Sequence, residues 1–279
     1  MFMSEKCNEL ECGSQAKCEG CPSNQKGGFL KETHPKNRIR HVVGIVSGKG
    51  GVGKSSVTSL LALEMHRRGY SVGILDADIT GPSIPKAFGV TGNAYGVEDG
   101  IIPPTSPDGI KIMSINLLLD DPEKPVIWRG PILANMVTQF WTDVIWGDLD
   151  YLFVDMPPGT GDVPLTVFQS LPLSGVIIVS ASQDLVNLIV KKAIHMAQDM
   201  NIPIYGLIEN MSYFICPNCH EKHYIFGKSH LDEVSEEMHL PILARMPIDP
   251  QIAASIDAGE IEKLENNPLH EAAEILITQ

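Results

Sequence analysis

The sequence predicts a doubly wound α/β fold, a mostly parallel sheet flanked by helices. Three observations predict it. From His41 onward, short apolar runs alternate with segments of helical spacing. The runs are apolar at successive positions, as strands buried on both faces require. Gly, Pro or Asp bounds most of them.

The runs fall at 42–47, 72–76, 110–115, 151–155, 176–180, 204–210 and 242–245. Between the first two, Leu60, Leu61, Leu63 and Met65 lead to Gly69, a natural helix stop. After Pro131, at a favourable first helical position, Leu133, Met136, Val137, Phe140, Trp141, Val144 and Ile145 form one apolar stripe. Its aromatics are expected in the core. Residues 268–279 read as a closing helix. Residues 22–40 have no apolar periodicity and mix Gly, Pro and charge, so they read as a flexible tether. The chain then divides into a cysteine-containing extension, 1–40, and one folded body, 41–279.

Charge and cysteine content narrow the chemistry. The 279 residues carry a formal net charge of −13. Residues 1–40 hold seven Lys/Arg and five Asp/Glu, leaving −15 on the body. So acidic a surface lacks the basic footprint for nucleic acid or anionic membrane, and neither is expected as a partner. Any phosphate must be held locally, by backbone amides and placed lysines. Four of the six cysteines lie in the tail (Cys7, Cys12, Cys18, Cys21), and the others are Cys216 and Cys219. The first ten residues have no signal-peptide core, and no apolar run approaches membrane-spanning length. A cytoplasmic location follows as the expectation, where clustered thiols mean metal more often than disulfide.

The most specific motif is Gly48-Lys49-Gly50-Gly51-Val52-Gly53-Lys54-Ser55, which fits G-x-x-x-x-G-K-[ST] between a predicted strand and a predicted helix. Its glycines let backbone N–H groups turn inward around phosphates, and the helix N-terminus adds a positive dipole end. Residues Gly48 through Ser56 are therefore the expected ATP cradle, with Lys54 reaching the β/γ-phosphates and Ser55 ligating Mg²⁺. Asp155 closes the 151–155 strand as a Walker B carboxylate would. Gly159 and Gly161 lie in a following segment suited to sensing a γ-phosphate. Asn210 closes another strand, and its amide, donor and acceptor at once, is a candidate adenine contact or a turn residue.

The string GKGGVGKS resembles the deviant Walker A of the MinD/ParA/nitrogenase-iron-protein class. The resemblance implies a P-loop NTPase in which Lys49 crosses a dimer interface to the partner's nucleotide, as an arginine finger would. It also places Asp76 near the metal and gives Asp78 the attacking water.

Cys216-Pro217-Asn218-Cys219 spaces two thiolates to share one metal or cluster. A thioredoxin-like pair would sit at a helix start near the chain's beginning, and a c-type haem site through His220 would require export. Two readings remain open on the residues: a zinc site completed by His220 or His223, and a [4Fe–4S] cluster held half by each of two copies. The tail set, Cys7, Cys12, Cys18 and Cys21, is a possible second cluster or zinc site.

Further segments follow the P-loop in order: Asp76-Ala77-Asp78-Ile79-Thr80-Gly81-Pro82-Ser83, Trp128-Arg129-Gly130-Pro131, Asp155-Met156-Pro157-Pro158-Gly159-Thr160-Gly161-Asp162 and Asn210-Met211-Ser212 before the C-x-x-C. Together they resemble the Mrp/ApbC family of P-loop ATPases over about residues 38–278. The resemblance implies a homodimer that hydrolyses ATP slowly. It would bridge a labile [4Fe–4S] cluster between paired Cys216 and Cys219 and pass it to apo iron–sulfur proteins. The competing class is a MinD/ParA-like positioning ATPase with structural zinc at the C-x-x-C, but the acidic body and Glu271 and Glu274 near the C-terminus supply no basic amphipathic helix.

Overall fold

Strands apolar at successive positions have no face to offer water, so a sheet made of them must be covered on both sides. The computed structural model describes residues 30–78, 83–118, 130–182, 186–227 and 229–278. Its first half runs β1 (Arg38–Ser47), α1 (Lys54–Arg67), β2 (Val72–Asp76), α2 (Ser83–Ala87), a hairpin of β3 (Tyr95–Val97) and β4 (Gly100–Ile102), β5 (Lys111–Ser114) and α3 (Gly130–Thr142). Next come β6 (Asp148–Asp155), α4 (Asp162–Ser170), β7 (Gly175–Ala181), α5 (Val186–Asp199), β8 (Ile204–Ile215) and β9 (Lys222–His223). The chain closes with α6 (Leu231–Met238), β10 (Ile242–Pro247), α7 (Pro250–Ala258) and α8 (His270–Ile277).

The main sheet has the order β10-β8-β7-β1-β6-β2-β5, with every pair along it parallel, and β9 lies antiparallel beside β8. All seven expected strands are in it. β1 is central: β2 and β5 lie to one side of it with β6 inserted between β1 and β2, and β7, β8 and β10 follow in order on the other side. That places the carboxyl end of β1 at the crevice where doubly wound sheets bind ligands.

Side-chain alternation divides the core into two layers. Val43, Ile45, Phe153, Ile177 and Val179 pack with α1, α2 and α8 on one face. Val42, Val46, Leu152, Val154, Val176 and Ile178 pack with α3, α4 and α5 on the other. Phe140 and Trp141 of α3 are buried in this second layer, as expected. Fully burying one such large side chain is worth about 1.5–3 kcal/mol. α1 ends as its sequence predicts. Gly69 takes a left-handed φ of 89°, donates its N–H to the His66 carbonyl, and turns the chain into β2.

One expectation is corrected. Residues 30–40 do not form the end of a tether. Arg38–Arg40 already belong to β1. Before them, Lys31 N–H donates to Ser170 O at 2.9 Å, Trp141 Nε1 to Lys31 O at 2.8 Å, and Asn37 Nδ2 to Val144 O at 2.9 Å. A polar stretch without periodicity is held here by hydrogen bonds, which an apolar pattern cannot reveal.

Candidate functional site

The P-loop begins where β1 leaves the sheet. Gly48 is pressed against α5: a Cβ there would lie 2.1 Å from Ile189 Cγ2 and 2.7 Å from its carbonyl oxygen, so only glycine fits. Gly53 caps α1 with φ 79° and ψ 28°, and its carbonyl accepts from Val57 N–H at 3.0 Å. A fourteen-residue helix thus presents its unpaired N-terminal N–H groups to the loop. Ser47, Gly50, Gly51, Gly53, Lys54, Ser55, Ser56, Asp78, Ser83 and Pro158 line a cavity of about 230 Å³ at this point.

Parallel pairing of β1 with β6 and of β6 with β2 brings the carboxylates to the loop; Asp76 and Asp155 are register partners. The fully buried Asp155 accepts from Ser55 Oγ at 2.6 Å and Thr58 Oγ1 at 2.7 Å, and pairs with Lys54 Nζ at 2.8 Å. Lys54 also lies 3.4 Å from Asp78. Asp76 accepts from Ser114 Oγ at 3.0 Å and from Asp78 N–H at 3.1 Å. Three carboxylates therefore gather around one buried lysine. That excess of negative charge beside a hydroxyl suits a divalent cation: Ser55 and Asp155 fit Mg²⁺ as a hard, oxygen-preferring ion.

Burial, and next the Asp155 carboxylate, push the Asp76 carboxyl well above the ordinary range; Lys54, Ser114 and the Asp78 N–H offset this only in part. A carboxyl whose pKa is higher folded than unfolded binds its proton better in the native state. Its contribution is thus fullest below the unfolded pKa and is lost as pH rises through the folded one. Asp76→Asn is accordingly expected to raise the unfolding free energy at pH 7. It should also flatten the decline in stability with rising pH, as read by urea denaturation from pH 4 to 8. A variant less stable than the wild type at pH 7 would contradict this.

Other expected residues are placed as follows. Gly159, with φ 89°, donates its N–H to Ser47 O at 2.8 Å and so ties the segment after β6 to the P-loop. Lys49 is exposed. Asn210, expected as an adenine contact, uses its amide on the protein: Nδ2 donates to Val52 O at 3.0 Å and Oδ1 accepts from Met211 N–H at 2.9 Å. It braces the P-loop from behind, and a Cβ on Gly53 would lie 2.0 Å from its Nδ2. Cys7, Cys12, Cys18, Cys21, Ile79 to Pro82, Trp128 and Arg129 lie outside the described residues. Thr58 and Ser114 were not anticipated. Thr58 is one helical turn after Lys54, and that i+4 spacing was the available signal.

A second group stands at the end of β8. The chain turns back after Ile215, with Cys216 N–H donating to Glu221 O at 3.0 Å and His220 N–H to Cys216 O at 2.9 Å. Cys216 Sγ, Cys219 Sγ and one His223 ring nitrogen lie within 4.8 Å of one another. N–H groups of Cys219, then Asn218, and the Cys219 thiol hold the Cys216 thiol below its ordinary pKa, favouring the thiolate that metals bind. Ile215, Tyr224, Ile225 and Phe226 are exposed around the turn. Cys216 is six residues beyond Asn210, at most about 20 Å along an extended strand.

A parallel sheet whose central strand opens into GKGGVGKS, with a buried aspartate on the loop's lysine and serine, defines a P-loop NTPase. Residues 38–279 match the family described as ParA: NUBPL iron-transfer P-loop NTPase, and the chain belongs to that family. It is 40% identical over 274 residues to the iron-sulfur cluster carrier protein of Clostridium perfringens, covering 93% of this chain and 96% of that one. Among solved structures it is similar to a nucleotide-binding protein of Archaeoglobus fulgidus in complex with ADP, with Co found. That match has 42% identity and a TM-score of 0.74, and covers 82% of this chain and 90% of the other. The Aquifex aeolicus MinC:MinD complex shares the fold, at 18% identity and TM-score 0.63 over 86% of this chain and 96% of that one.

Proposed function

We propose that this protein is an ATP-hydrolysing iron–sulfur cluster carrier. Two copies hold a [4Fe–4S] cluster as cargo between their paired Cys216 and Cys219 and deliver it to apo iron–sulfur proteins in the cytoplasm. The observation that carries the reading is one strand, β8, which carries the P-loop brace Asn210 and ends directly before the thiol pair of half-buried Cys216 and exposed Cys219. The exposed apolar residues beside that turn suit a surface that a second copy covers. No helix among the described residues is long and apolar enough to cross a membrane.

In the nucleotide site, Lys54 exchanges its carboxylate partners for the phosphates, and the helix N-terminus and loop N–H groups hold the remaining phosphate oxygens. Ser55 and Asp155 would hold Mg²⁺, which supplies neutralisation of phosphate charge. Asp78 orients the attacking water, Asp76 supports the metal side, and Lys49 reaches the nucleotide of the second copy. Gly159, already bonded to Ser47, moves with the γ-phosphate. Displacement of the loop then reaches Asn210 and, through β8, the cysteines. Cys7, Cys12, Cys18 and Cys21 are proposed to hold a separate cluster or zinc ion.

The test is anaerobic reconstitution with iron and sulfide, followed by transfer to an apo-ferredoxin with and without ATP. Iron uptake with visible cluster absorption, and transfer that responds to ATP but not in Lys54→Ala, are expected. Zinc alone with no iron uptake would overturn the carrier; transfer indifferent to both ATP and Lys54→Ala would overturn the coupling.

A further inference from the structure

The two cysteines do not stand alone at the turn. β9 returns antiparallel to β8 with His223 opposite Phe214. His220, with φ 60°, takes the left-handed corner of the reversal. This brings His223, and not the neighbouring His220, into the group with both sulfurs. Zn–S distances of about 2.3 Å and Zn–N of about 2.0–2.1 Å would set the donors of one tetrahedral ion roughly 3.5–4 Å apart. The three donor atoms lie within 4.8 Å, so small side-chain rotations bring them to coordination distance. Cys219 and His223 are exposed and Cys216 is half-buried, leaving room for those rotations and for a water molecule. Two thiolates and an imidazole form a borderline-soft set suited to zinc-class ions.

We infer that each chain by itself binds one zinc-class divalent ion through Cys216, Cys219 and His223, with the fourth position open to water or another small ligand. This goes beyond the carrier reading, in which two copies share four cysteines and no histidine takes part. The two loadings draw on the same sulfurs and exclude each other, so a divalent ion on the three-residue site is a competing state of the cysteine turn.

The test is cobalt binding to the metal-free, reduced, full-length chain, with Cys7, Cys12, Cys18 and Cys21 replaced by serine so that they take no metal. One Co²⁺ per chain is expected, with the d–d absorption of a tetrahedral site and thiolate-to-cobalt charge transfer. His223→Ala should weaken binding by at least about 10-fold, since even residues outside the coordination sphere cost that much. His223→Cys should restore it, and His220→Ala should leave affinity and spectrum as in the parent. One Co²⁺ per two chains, or a His223→Ala titration that superimposes on the parent, overturns the proposal. Iron–sulfide loading of the same His223→Ala protein judges the carrier reading separately. Normal cluster uptake beside unchanged cobalt binding would refute the histidine site alone, and failed uptake in the parent would refute the carrier alone.

Discussion

Asp155→Ala is expected to reduce ATP turnover by on the order of 10²–10³, the range seen when one preorganised electrostatic group is removed from an active site. The carboxylate takes hydrogen bonds from Ser55 and Thr58 and the ammonium of Lys54, so its loss disturbs the metal side and the phosphate side together. It should also cost folded stability. Removing one partner of a buried pair commonly costs about 3–5 kcal/mol, and the low end applies because Asp78 remains 3.4 Å from Lys54. Asp155→Asn keeps the shape and one acceptor. It should lose turnover to the same degree with a smaller stability cost. Phosphate release and urea denaturation on both variants separate the two effects, and turnover in Asp155→Asn within twofold of the parent would rule out the assigned role.

Cys216→Ser is expected to abolish cluster loading while leaving ATP binding intact. With tail cysteines also replaced by serine, two copies then offer two thiolates where a [4Fe–4S] cluster takes four. The Cys216 sulfur accepts N–H groups of Cys219 and Asn218, and a serine hydroxyl in the same place, far less acidic, does not supply the anionic ligand. Cys219→Ser should behave alike. Iron content and visible absorption after anaerobic reconstitution, beside nucleotide binding measured on the same samples, give the answer. Retention of stoichiometric iron in either variant would place the cargo elsewhere in the chain.

The fold was legible because its core strands are apolar on both parities. Val176 to Val179 can only be a strand buried on both sides or a short helical piece, and the length of four residues favours the strand. The hairpin of β3 and β4 was not legible, since each strand is only three residues long, is exposed or half-buried, and contains a glycine. The attachment of residues 30–37 escaped for a related reason: it rests on hydrogen bonds to Ser170, Trp141 and Val144, each more than a hundred positions away in the chain.

The P-loop and the C-x-x-C are local patterns whose chemistry depends on spacing within a few residues, so the sequence alone determined both, with the α/β frame that carries them. Register across parallel strands is non-local, and only the tertiary structure could set Asp76 beside Asp155 and aim Lys54, Ser55 and Thr58 at one carboxylate. The same holds for Asn210, whose amide can donate and accept in either expected role. It is the closeness of Val52, 158 positions earlier, that turns it toward the P-loop. The choice of His223 over His220 was likewise a matter of strand return and a left-handed corner, which place a residue by backbone path rather than by distance along the chain.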